Sequence, residues 1–201
     1  MKKTMFAVLI TLLVVLAGCK SKTESPAQSK ATEEITDSNC ELMKVVFDLD
    51  TPHPFTVNVP DTKVQCILSK AEQIENGHIL HGEYTNGDEK GEITLVLKRG
   101  ELSVLGDQND ADYFVAPFEV SNQGSGIFTY IGLFSLNLET KTVKQIASYF
   151  LGDRITLENV STENNIAEID MKVHGPKQAM AEDPTEKKTI ILHITPEGFT
   201  K

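Results

Sequence analysis

The chain has 201 residues, with 19 basic against 29 acidic side chains, a net charge of −10, 3 cysteines and no tryptophan. A balance of that sign repels phosphates and anionic headgroups, which argues against nucleic acid as a partner. Acidity alone is read as solubility, not as cation binding.

The chain opens on Met1-Lys2-Lys3, followed by Met5 to Ala17, apolar except for Thr11. Positive start, oily run and small residues, in that order, predict an export signal. As a helix the run would reach about 20 Å, short of the roughly 30 Å of hydrocarbon that a spanning helix must cross. Leu16-Ala17-Gly18-Cys19 then resembles the lipobox of bacterial lipoproteins. The resemblance implies cleavage between Gly18 and Cys19 and a diacylglyceryl thioether on the Cys19 sulfur, the nucleophile such a bond requires. Acyl chains contribute about 0.8 kcal/mol per buried methylene, so two or three of them would anchor the chain to a membrane lastingly. Lys20 stands where lipoproteins kept in the enterobacterial inner membrane carry Asp, so the resemblance favours the outer membrane, facing the periplasm. Removal of Lys2 and Lys3 with the signal turns the net charge from −10 to −12.

Three segments are expected: a signal peptide at 1–18, a lipidated tether at 19–38 and a globular domain at 39–201. The tether, KSKTESPAQSKATEEITDS after the cysteine, has Ile35 as its one large apolar residue and cannot bury enough surface to offset its ordering entropy. Random-coil scaling gives it an end-to-end distance near 25 Å. In the oxidising compartment that export implies, Cys40 and Cys66 are expected to form one disulfide, contributing roughly 3 kcal/mol on the chain-entropy model; two buried thiols are the alternative.

From Cys40 onward apolar residues return in short runs between turn residues, which predicts strands. The expected strands are Leu42–Asp48, Phe55–Val59, Ile79–Tyr84, Glu92–Lys98, Leu102–Leu105, Tyr113–Val120, Gly126–Leu138, Ile155–Val160, Ile166–Val173 and Thr189–Ile194. Asn86-Gly87 and Arg99-Gly100 read as tight turns that make their neighbours antiparallel. Two stretches carry apolar residues at helical spacing, Val64 to Ile74 and Thr142 to Leu151, although their β-branched content also suits strands. The fold class is mainly β: an antiparallel sandwich or barrel-like domain with at most one or two short helices.

Chemistry is sparse. Gly106 to Asp112 is the densest cluster of oxygen ligands, yet Asp107, Asn109, Asp110 and Asp112 only half fit a D-x-D-x-D-G calcium loop and the inner glycine is missing. It is a weak cation candidate, with an acidic turn as the favoured reading. His78 and His81 form H-x-x-H, but a strand sends them to opposite faces, which argues against zinc. His174 and His193 read as structural or exposed. Gly124-Ser125-Gly126 is not the G-x-S-x-G of hydrolases, and no phosphate-binding glycine loop is present. No metal, cofactor or catalytic residue is expected.

The blocks GDQNDADYF, GSGIFTYIGLF, LGDRITLENV and EIDMKVHGP, spread between Gly106 and Pro176, resemble a domain of bacterial lipoproteins and periplasmic proteins. That family carries a GDLDGDGxDDA-like loop, a GGSGxFxYL segment, LGDRV and VDMxxHGPxDPMCCPT. The calcium-like loop is shortened in this chain, and Met180-Ala181-Glu182-Asp183-Pro184-Thr185 lacks both cysteines, so neither a cation site nor a thiol site carries over. The resemblance implies an envelope address. The expected function is a membrane-anchored binding or interaction module, with an envelope protein or glycan as partner. The alternatives are a carboxylate-based periplasmic hydrolase at Asp107 to Asp112 and a lysozyme-inhibitor-like protein.

Overall fold

The structure, a computed structural model, describes residues 37–98 and 111–201, apart from the side chains of 37–40. Helix α1 spans Asp37–Phe47; the strands are β1 Thr56–Asn58, β2 Gln65–Ile67, β3 Lys70–Ile74, β4 Gly77–Asn86, β5 Glu89–Lys98, β6 Ala111–Asn122, β7 Ile127–Asn137, β8 Thr142–Asp153, β9 Thr156–Glu163, β10 Ile166–Val173, β11 Glu186–Thr195 and β12 Gly198–Thr200. Every pairing is antiparallel. β3 to β8 form a six-stranded meander in chain order, β9 to β12 a four-stranded one, and β1–β2 a separate hairpin. The expected mainly β, antiparallel class is what the described residues form.

The six-stranded sheet is covered on both faces. Tyr113 to Phe118 of β6 and Ile131 to Leu136 of β7 are buried without a break, as strands enclosed on two sides must be. On one face Phe114 and Phe134 lie opposite each other in register and stack at 5.2 Å. Phe55 meets both edge-on, at 6.5 and 5.4 Å, and Phe47 of α1 packs against Phe55 and Phe114. Helix and hairpin therefore cap this face. Gly82 of β4 allows the hairpin to come so close: a Cβ there would stand 2.3 Å from the Ile67 carbonyl oxygen and 2.7 Å from Cys66 Sγ. On the other face, Ala147 and Tyr149 of β8 meet β12, where a Cβ on Gly198 would approach Ala147 and Lys201 Nζ lies 5.3 Å from the centre of the Tyr149 ring. The four-stranded sheet covers that side, contributing Val160, Ala167, Ile169, Met171, Leu192 and Ile194 to the core.

Three local readings of the sequence are corrected. Leu42 to Asp48 is helical, not extended: Leu42, Met43, Val46 and Phe47 turn one face inward, and tertiary burial overrides the β preference of Val45-Val46. The helix stops at Asp48, which takes φ 56° while its N–H bonds Lys44 O in an αL cap and Leu49 N–H reaches Met43 O. Val64 to Ile74 holds β2 and β3 in place of a helix, and β3 is an edge strand whose Lys70 and Glu72 stay exposed. Thr142 to Leu151 is β8. Its register against β7 shifts at two bulges, near Ile146 and Leu151, and each extra residue resets the alternation, so a strand mimics helical spacing. The helix also starts at Asp37, two residues inside the expected tether. The Arg99-Gly100 turn and the Leu102–Leu105 strand lie outside the described residues.

One irregularity shapes the rest. β5 and β6 pair only from Gly91↔Asn122 to Leu95↔Phe118. The register would next oppose Val96 to Pro117, and proline has no N–H to give a ladder. From there the strands part.

Candidate functional site

The registers of the six-stranded sheet align one transverse row of side chains: Lys70, His81, Thr94, Glu119 and Thr129 oppose one another in turn across β3 to β7, ending at Gly152 of β8. Directly opposed residues on antiparallel strands hold their Cβ atoms about 4.5–5.5 Å apart, so neighbours in this row are in side-chain reach. The row lies on the face shared with the four-stranded sheet. At the β3–β5 end that face is polar, and His81 Nδ1 sits 3.2 Å from Glu92 Oε1 and 3.3 Å from Thr94 Oγ1. His81 Nε2 faces Glu72 Oε1 at 3.8 Å, too far for a hydrogen bond.

Further along the row, Thr94, Glu119 and Thr129 line a groove of about 390 Å³. Val96, Lys98, Pro117 and Phe118 complete its sheet side, at the place where β5 and β6 part. Ile155 to Val160, the approach to and first half of β9, make the facing wall. That wall depends on a bulge: Asn159 opposes Asp170 and Leu157 opposes Met171, which leaves Glu158 as the extra residue. Val160 and Leu157 thereby both pair with core residues, Ile169 and Met171, although three positions apart. Glu158 is turned to Lys172, whose Nζ lies 2.7 Å away and holds the Glu158 carboxyl below its usual range. Preceding this wall is the corner Gly152-Asp153-Arg154, where the chain passes from one sheet to the other. Arg154 grips Asp153 through Nε and Nη2 at 3.2 and 3.0 Å, and its backbone N–H bonds Ile127 O. The LGDRITLENV block thus builds the corner and the wall.

Two groups in the groove are incompletely satisfied. Thr129 is 2% exposed, and its Oγ1 has no hydrogen-bond partner. A buried hydroxyl left so costs about 1–3 kcal/mol. Beside it Glu119 has neither an ion pair nor a hydrogen bond among the described residues. Partial burial by its neighbours pushes its carboxyl above the ordinary carboxylate range, although the residue as a whole is exposed.

The arrangement suits recognition better than acyl transfer. A hydroxyl, an imidazole and a carboxylate do meet at His81, but Thr94 and Glu92 share the same ring nitrogen, whereas a proton relay needs them on opposite nitrogens.

Of the residues singled out from sequence, Gly18, Cys19, Asp107, Asn109 and Asp110 lie outside the described residues. Asp112 is a half-buried member of β6 opposite Leu136. No group of three His, Cys, Asp or Glu side chains able to hold a metal occurs among the described residues. His78 and His81 do fall on opposite faces of β4, His78 against the core. His174 Nε2 lies 2.8 Å from Glu182 O, in a loop pinned by Gln178, which accepts from Gly175 N–H and Thr185 Oγ1. His193 is exposed on β11. Cys66 is buried, with Sγ 3.6 Å from Glu83 O; the Cys40 side chain is not described. Glu119 and Thr129 were missed. The visible signal was a lone carboxylate in the apolar run Tyr113 to Val120; its threonine neighbours emerge only from the strand register.

Among the described residues no helix is long and apolar enough to cross a membrane. Comparison with family models, curated proteins and solved structures finds no match to the chain.

Proposed function

We propose that the chain is a cell-envelope lipoprotein, anchored through lipid on Cys19, that binds a component of the envelope in the groove between β5, β6 and β9. The anchor rests on the signal-like start and the Leu16-Ala17-Gly18-Cys19 box. The binding role rests on one observation: the orphaned, buried Thr129 hydroxyl beside Glu119, an exposed carboxylate without an ion pair among the described residues, in an open, largely apolar groove. Sites for small groups pair apolar walls with a few convergent polar atoms, and this groove has that composition. An envelope protein or a glycan remains the proposed partner, and Cys40–Cys66 the proposed disulfide.

Two measurements test this reading. Growth with labelled palmitate should label the chain, and Cys19→Ser should abolish the label and release the protein from membranes; membrane retention of the serine variant refutes the anchor. Val96→Trp should fill the groove. Native mass spectrometry of the membrane-extracted protein should then lose any mass carried by the unaltered chain, and identical spectra refute the groove.

A further inference from the structure

We infer that the groove is built for a primary ammonium on an aliphatic body, its head against Glu119 and Thr129 and its chain along Val96, Pro117, Leu157 and Val160. This rests on the groove being a binding site, as proposed above.

The charge pattern selects the head group. Glu119 supplies a carboxylate without a counter-ion among the described residues, and Thr129 supplies a hydroxyl oxygen without a donor. An ammonium brings three donors and a positive charge, enough to serve both at once. A carboxylate or phosphate would meet Glu119 as a like charge, and a neutral hydroxyl would leave that charge to solvent alone. The other charged residues lining the groove are already placed. Glu158 is engaged by Lys172. Lys98 lies four residues from Thr94 along β5 and makes no ion pair with Glu119. On the far side of Thr94, His81 is two strands from Glu119 and faces the carboxylates of Glu92 and Glu72. The net acidity of the whole chain favours approach of a cation.

The walls select the body. Val96, Pro117, Leu157 and Val160 offer apolar surface. Several methylenes laid there contribute about 0.8 kcal/mol each when fully buried. A free alkylamine and a lysine side chain share this chemistry.

The test uses the full chain in phospholipid nanodiscs, with the methyl resonances of Thr129 and Val160 followed by NMR. Titrants are hexylammonium, hexan-1-ol, hexanoate and Nα-acetyl-lysine amide. Hexylammonium should bind at least about tenfold tighter than hexanol, the size of one partly desolvated ion pair. Glu119→Gln keeps the side chain's shape and should erase that advantage while leaving hexanol binding in place. A lysine amide binding as tightly as hexylammonium assigns the site to a peptide-borne amine, and weaker binding assigns it to a free one; both support the ammonium. Equal binding of hexanol and hexylammonium, or hexanoate binding as well as the amine, overturns the ammonium inference and leaves the groove standing. No response at either methyl to any titrant overturns the groove and the inference together.

Discussion

Gly82→Ala should be among the most damaging single-methyl additions in this protein, and its cost can be worked from the geometry. The new Cβ would stand 2.3 Å from Ile67 O, 2.7 Å from Cys66 Sγ and 3.0 Å from Ile67 C, where ordinary contact begins at 3.4 Å. Neither obstacle is the far end of a flexible side chain, so β2 must retreat by about 1 Å, a gap that forfeits up to half of the dispersion attraction across it. The hairpin carries Val57, Val59, Cys66 and Leu68 into the core, all at most 3% exposed. Full burial of such a side chain is worth about 1.5–3 kcal/mol, so loosening two or three of them costs about 2–4 kcal/mol. For a domain of this size that lowers the melting temperature by on the order of 10 °C. Urea denaturation should show a lower midpoint with an unchanged slope. Gly87→Ala is the control: nothing lies within 4 Å of its Cβ position, and its φ of 63° costs only about 1–2 kcal/mol. A loss below about 1 kcal/mol at Gly82, or one no greater than at Gly87, would refute the close approach of hairpin and sheet.

Phe134→Ala removes a ring lying 5.2 Å from Phe114 and 5.4 Å from Phe55 and should cost about 3–5 kcal/mol by urea titration, while Phe150→Ala, at a half-exposed ring, should cost far less. Similar losses at both positions would count against a core centred on the Phe55 cluster. Because burial raises the Glu119 carboxyl, the native state holds that proton more tightly than the unfolded chain does. The stability this confers is complete below the ordinary Glu value of about 4.3 and is lost as pH rises through the raised one. Thermal melts should therefore show Glu119→Gln more stable than the unaltered chain at neutral pH, with the gap closing in acid. A gap independent of pH would mean that the carboxyl is fully solvated.

The sequence made the strand class legible because alternation and turn residues are local signals. Asn86-Gly87 does end a hairpin, with Gly87 at φ 63°, and Asn164 and Asn165 take the positive φ angles of another tight turn. Misreadings arose where a non-local term won. Burial of Leu42, Met43 and Phe47, the last against Phe55 and Phe114, made the Val45-Val46 stretch helical, and bulges in β8 disguised a strand. The groove was least legible: a row such as His81, Thr94, Glu119 and Thr129 exists only once three registers are fixed, and no spacing along the chain encodes it. Pro117 was the nearest local clue, a residue unable to donate within an otherwise apolar strand.

The meander also sets how the sheet can assemble. β4–β5 share ten register pairs across a two-residue turn and β6–β7 share eleven across a short one, whereas β5 and β6 share five and are joined through residues 99–110. Nearest-neighbour hairpins close cheaply and quickly. Refolding should thus begin as two independent zippers, β3 to β5 and β6 to β8, whose late merger along the five-pair β5–β6 ladder limits the rate.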